Sequence, residues 1–229
     1  MANTFDINLH KRHLITLLLE ICKLLDGKVA FKGGTCAMLF YNLNRFSFDL
    51  DFDILETLNR EDIDSTKEIL FKHGIIKDFF DKHNTIFFLF NYRKDYPNIK
   101  VEFNKRIWKH NRYKTVWYMG VRMEIVDEPT LLTNKLIAIS DRKSPVARDL
   151  FDAYCLLSLK FPISEDLIKE RTEKGKQDYI KFLISFIERN YTARNVLQGL
   201  GEILGKEQKQ WVKKELIEQT LNLLEKAAK

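Results

Sequence analysis

One stretch, Arg45-Phe46-Ser47-Phe48-Asp49-Leu50-Asp51-Phe52-Asp53-Ile54, constrains this chain more than any other. Side chains alternate across a β-strand, so Phe48, Leu50, Phe52 and Ile54 form an apolar face while Ser47, Asp49, Asp51 and Asp53 line the other. A strand of this kind must lie on a core, and its second face must carry a row of like charges. Close carboxylates repel one another, and a divalent cation between them relieves the repulsion. Magnesium suits Asp49 and Asp51 best, with manganese as the alternative, because it takes carboxylate and phosphate oxygens while keeping several waters. An EF-hand reading fails: Ile54 stands where that loop needs glycine, and the intervening residues are apolar.

Ahead of this strand lies Lys32-Gly33-Gly34-Thr35, then a short apolar helix. A Gly-Gly turn that opens a helix offers backbone N–H groups and the positive end of the helix dipole to phosphate oxygens, and Thr35 adds a hydroxyl. Neither a P-loop nor a G-x-G-x-x-G pattern is present. The spacing instead suggests that the turn holds a triphosphate at the sheet end where the aspartates hold its metal. A third carboxylate is expected from the alternating strand Ile99-Lys100-Val101-Glu102-Phe103. Glu102 would complete the metal site or act as general base, unless it is simply an exposed glutamate paired with Lys100.

The chain has 229 residues, 45% of them hydrophobic and 17 of them Phe, enough for a substantial core in one or two domains. No apolar run approaches the roughly 20 residues needed to cross a bilayer, and the polar N-terminus has no signal-peptide pattern. Cys22, Cys36 and Cys155 are odd in number and widely spaced, which points away from disulfides and zinc and toward a reducing cytoplasm. A net charge of +6 fits a phosphate-rich partner. Basic residues interleave with Trp108, Tyr113, Trp117 and Tyr118 between Lys105 and Tyr118, where rings could stack on bases; the alternative is a solvated hairpin with its aromatics in the core. His10 and His13 are an i,i+3 pair that reads better as surface than as metal ligands.

Periodicity predicts helices at 9–25, 35–41 and 60–72, strands at 28–32, along the aspartate row, and at 85–92, 99–104 and 121–126, then helices at 130–140, 146–159, 164–173, 177–190 and 207–228. The expected fold class is α+β: a domain over residues 1–128 with a mixed sheet flanked by helices, and a helical domain over 129–229.

Gly-Gly-Thr followed by Arg-x-Ser-x-Asp-x-Asp resembles the polymerase-beta-like nucleotidyltransferases, and in detail the AbiEii/AbiGii toxin family. Two later blocks extend the resemblance, Leu132-Thr133-Asn134-Lys135-Leu136-Ile137-Ala138-Ile139-Ser140-Asp141-Arg142 and Ala147-Arg148-Asp149-Leu150-Phe151-Asp152, the latter with Phe151 in place of a tyrosine. The three blocks cover about residues 28–157; nothing beyond 160 is matched. The resemblance implies that Asp49 and Asp51 bind metal, that Lys135 contacts nucleotide phosphate, and that Asp149 or Asp152 helps form the site. It also places Arg45, Ser47 and Arg148 at the nucleotide and implies a toxin with a partner antitoxin. Read from spacing alone, Arg148 and Asp152 form an i,i+4 helix pair.

These readings converge on transfer of a nucleoside monophosphate from a nucleoside triphosphate to an acceptor hydroxyl. Gly33, Gly34, Thr35 and Lys135 position the triphosphate, with Lys32 leading into the turn, and Glu102 or Asp149 deprotonates the acceptor. The family and the charge favour RNA, in particular a transfer RNA 3′ end. The rivals are a small-molecule acceptor such as an aminoglycoside and a silent protein-binding module.

Overall fold

The computed structural model describes residues 6–106, 108–142, 144, 146–200 and 204–228, which divide into two compact units. Lys143, half of the basic pair Arg142-Lys143, lies outside the described residues.

The first unit begins with α1 (Ile7–Leu24), whose N-cap Asp6 accepts hydrogen bonds from the N–H groups of Asn8 and Leu9. Its Leu14, Leu17, Leu18 and Ile21 recur at helical spacing and are fully buried. Then follow β1 (Val29–Lys32), α2 (Gly33–Phe40), β2 (Leu50–Ile54), α3 (Arg60–His73), β3 (Ile75–Asp81), β4 (Thr85–Asn91), β5 (Ile99–Asn104), β6 (Tyr113–Tyr118) and β7 (Val121–Val126). The strands form one mixed sheet in the order β3-β4-β5-β2-β1-β7-β6. β1 runs antiparallel to β2 and parallel to β7, and β2 runs parallel to β5.

Register in the centre of this sheet is set by aromatic rings. Phe31 pairs with Phe52 and Phe52 with Phe103 across β1, β2 and β5; all three are buried, and the Phe52 and Phe103 rings stack at 5.1 Å. Burying each such ring is worth about 1.5–3 kcal/mol, and a one-residue slip would turn the whole row to the other face. The same register therefore aligns Lys32, Asp51 and Glu102, each next in sequence to one of these rings, side by side on the opposite face.

The second unit is built from α4 (Glu128–Asp141), α5 (Ala147–Ser158), α6 (Glu165–Thr172), α7 (Lys176–Asn190) and α8 (Lys206–Ala227), with the segments Tyr41–Phe46 and Trp108–Arg112. Asp127 caps α4 by accepting from the Thr130 N–H, just before Pro129 in the first turn. On α8, Val212, Leu216, Thr220 and Leu224 form a buried i,i+4 stripe. No helix among the described residues is long and apolar enough to cross a membrane.

The α+β class is as expected, but two strands are added to the five read from sequence. β3 and β6 are the two edges of the sheet. Edge strands pack less, so their side chains need not alternate cleanly: β3 (IIKDFFD) is mostly exposed along its length, and Trp117 on β6 is 73% exposed.

Candidate active site

The loop between α2 and β2 and the start of β2 carry the aspartate pair, and α2 is tied to it directly. Thr35 is fully buried and its hydroxyl donates to the Asp49 carbonyl at 2.5 Å, so it holds the strand that presents the pair. Gly33 opens α2 with φ +80, and a Cβ there would lie 2.9 Å from Cβ and Cγ of Asp51 and run into the carboxylate itself. Only glycine serves at this position, for backbone conformation and for space. Gly34 is buried in the first turn of the helix and Ser47 is buried ahead of the pair, whereas Asp49, Asp51 and Glu102 are half-buried. Glu102 on β5 stands beside Asp51 in the parallel register.

Asp53, the third carboxylate of the row, is in a different state. It is 3% exposed; its Oδ1 accepts from Lys32 Nζ at 2.5 Å and Asn104 Nδ2 at 3.0 Å, and its Oδ2 accepts from the Tyr113 hydroxyl at 2.9 Å. Three donors, one of them a cation, make it a structural group. Lys32, expected near phosphate, is thus paired with Asp53. Nothing local in the sequence marks this network, because Asn104 and Tyr113 come from strands 51 and 60 residues further on.

In the helical unit the structure gathers three residues that the sequence lists far apart. Asp152 on α5 is fully buried and receives Arg45 bidentately, Nε at 2.5 Å and Nη2 at 2.7 Å, while Lys135 Nζ lies 2.7 Å from its Oδ2. Burial alone would push this carboxyl up, but the Lys135 ammonium and the Arg45 guanidinium outweigh it and hold Asp152 below the usual carboxylate range. Asp152 is therefore engaged by Arg45 and Lys135, and the expected i,i+4 pair with Arg148 does not form; Arg148 stays half-exposed. Asp149, in the first turn of α5, is buried with Arg142 Nε 2.5 Å from its Oδ2.

The basic, aromatic segment divides. Trp108 lies under the Arg171 guanidinium at 4.7 Å, Tyr113 is bound to Asp53, and Tyr118 packs edge-on against Phe40 at 5.1 Å. Trp117 presents an open ring. His10 and His13 are not the surface pair expected: His10 is buried and shares a hydrogen bond with the Tyr92 hydroxyl at 2.8 Å, and His13 stacks on the Tyr92 ring. Burial lowers the His10 pKa to about 4.

The donors on the sheet are all oxygen: two aspartates two positions apart, with a glutamate beside them. Among the described residues no group of three or more His, Cys, Asp and Glu is gathered to hold a metal ion by itself. Magnesium does not require one, since one or two carboxylates together with substrate phosphates complete its shell. Asp49 and Asp51 fit that ion, and the absence of a side chain at Gly33 leaves the room that the Asp51 carboxylate occupies.

Solved structures share this fold. A candidate nucleotidyltransferase from H. pylori aligns over 96% of both chains at 23% identity and a TM-score of 0.59. JHP933 from Helicobacter pylori aligns over 97% of this chain and 96% of its own at 22% identity and a TM-score of 0.56. No curated protein matches the chain. The family model described as Nucleotidyl transferase AbiEii toxin, Type IV TA system, matches residues 16–220, so the resemblance reaches well into the helices beyond 160 that the sequence motifs left unassigned. The chain belongs to this AbiEii family of nucleotidyltransferase toxins of type IV toxin–antitoxin systems.

Proposed function

We propose that this chain transfers a nucleoside monophosphate from a nucleoside triphosphate to an RNA hydroxyl in the cytoplasm, a transfer RNA 3′ end in particular, and that a partner antitoxin relieves the resulting toxicity. The observation that carries the reading is the apposition of Gly33 and Asp51, which places the start of a helix against a strand carboxylate. The N–H groups at the start of α2 bind the phosphates, as helix N-termini do. Asp49 and Asp51 would hold magnesium, which when bound would supply positive charge to the phosphoryl oxygens. Glu102, beside Asp51, takes the proton of the attacking hydroxyl. Asp149 is less suited to that role because Arg142 already neutralises it.

In the helical unit Lys135 contacts phosphate, and Asp152 and Arg45 fix the position of its ammonium. Support for an RNA acceptor comes from the family's toxin assignment, the charge of +6 and the exposed Trp117 ring. Incubation of the purified protein with total RNA, magnesium and each labelled triphosphate in turn tests the reading. Label should enter an RNA species with one triphosphate above the others. Label on a small molecule or on protein, with none on RNA, would keep the transferase chemistry and reject the acceptor.

A further inference from the structure

We propose that Asp53 is a positioning residue that keeps the Lys32 ammonium off Asp51, so that a divalent cation rather than Lys32 meets the Asp49–Asp51 pair. This rests on the reading of that pair as the metal site. Lys32 and Asp51 are directly opposite in the antiparallel β1–β2 register, so their side chains leave the same face. Opposite residues in such a ladder have Cβ atoms about 4.5–5.5 Å apart, well within reach of a lysine. Yet Lys32 Nζ lies 2.5 Å from Asp53 Oδ1, one step diagonally along β2.

Three features hold it there. Asp53 is buried while Lys32 keeps 28% of its side chain exposed, so the carboxylate is the fixed partner and the ammonium the adaptable one. Asn104 and Tyr113 also donate to Asp53, one to each carboxylate oxygen, and set its orientation. The buried row Phe31, Phe52 and Phe103 prevents any register slip that would re-pair the face. Without the Asp53 charge, the carboxylate directly opposite Lys32 is that of Asp51, and an ammonium at Asp51 competes with a cation for the same oxygens. The arrangement thus separates the row of three aspartates into one that neutralises lysine and two that take metal.

The test is binding of Mn²⁺ alone to the full chain, read from the electron paramagnetic resonance signal of free Mn²⁺. Asp53→Asn should bind Mn²⁺ about tenfold more weakly than the unaltered protein, because a unit charge close to the site opposes the ion. Lys32→Met combined with Asp53→Asn removes both charges and should restore binding to the original affinity or better. Equal binding by Asp53→Asn and the unaltered protein would overturn the inference. So would a double variant as weak as the single, since that result makes Asp53 a ligand or a purely structural group. If Asp53→Asn does not fold, the double variant is compared with the unaltered protein, and weaker Mn²⁺ binding by the double variant overturns the inference. No Mn²⁺ binding by the unaltered protein would instead overturn the metal reading of Asp49 and Asp51, and this inference with it.

Discussion

Replacing Gly33 by alanine separates two physical effects, because the chain supplies its own control. Gly33 and Gly27 both have left-handed backbone, φ +80 and φ +76, but a Cβ on Gly27 meets nothing within 4 Å whereas one on Gly33 meets the Asp51 carboxylate. Forcing alanine into that conformation costs about 1–2 kcal/mol at either site. At Gly33 the collision adds about 1–3 kcal/mol of overpacking and displaces Asp51. For a chain of this length each kcal/mol lowers Tm by about 2–4 °C, so Gly27→Ala should lose a few degrees and Gly33→Ala roughly twice as much. Hydrogen exchange at the amides of β1 and β2 assigns the loss to the sheet unit. Transfer of labelled nucleotide should persist in Gly27→Ala and fall to background in Gly33→Ala. Equal stability and equal transfer in the two variants would refute the argument that the glycine exists to admit the carboxylate.

Asp49→Asn combined with Asp51→Asn should abolish transfer while leaving the metal-free Tm unchanged or raised, since the like charges no longer repel; surviving activity would reject both as metal ligands. Asp152→Asn should cost about 3–5 kcal/mol, because it strands the buried Arg45 and the half-buried Lys135 without a counter-ion. The same group sets an acid limit. Its native pKa lies below its unfolded value, so its contribution is complete above the ordinary carboxylate range and is lost as pH falls through the depressed native pKa. Denaturant titrations of the unaltered protein between neutral and acid pH should show that loss, and Asp152→Asn should lack its share. Trp117→Ala should weaken RNA binding by about 1–3 kcal/mol if a base stacks there. Tm should not change, as the ring is 73% exposed; unchanged affinity across a salt titration would remove Trp117 from the RNA surface.

The centre of the sheet was legible because Leu50, Phe52 and Ile54 alternate with Asp51 and Asp53, a pattern that a half-buried strand satisfies, although the strand starts at Leu50 and leaves Phe48 and Asp49 in the loop before it. The edges were not: β3 and β6 gain little from packing, so their composition is free to look like loop or basic surface. At the site, the glycine turn and the carboxylate pair stand within 19 residues of each other and carry a local signature. The Asp53 network does not, since its donors are recruited by strand order and no spacing rule connects position 53 with 104 and 113. Arg148 shows the converse failure. Helix geometry puts it within reach of Asp152, but that buried carboxylate is taken by the buried Arg45 guanidinium and by Lys135 of α4.

The Arg45–Asp152 pair also bears on how this chain is made. Arg45 leaves the ribosome 107 residues before its counter-ion. At about 5–20 residues per second that is an interval of roughly 5–20 s. β1 has already emerged and β2 to β7 follow within it, so the whole sheet can pair while Tyr41–Phe46, which belongs with the helices, still waits for a place to fold. Synthesis halted before α5 would leave a guanidinium with no carboxylate to bury against, and with it a nascent product open to proteolysis. The helical unit is completed only once α8 has emerged.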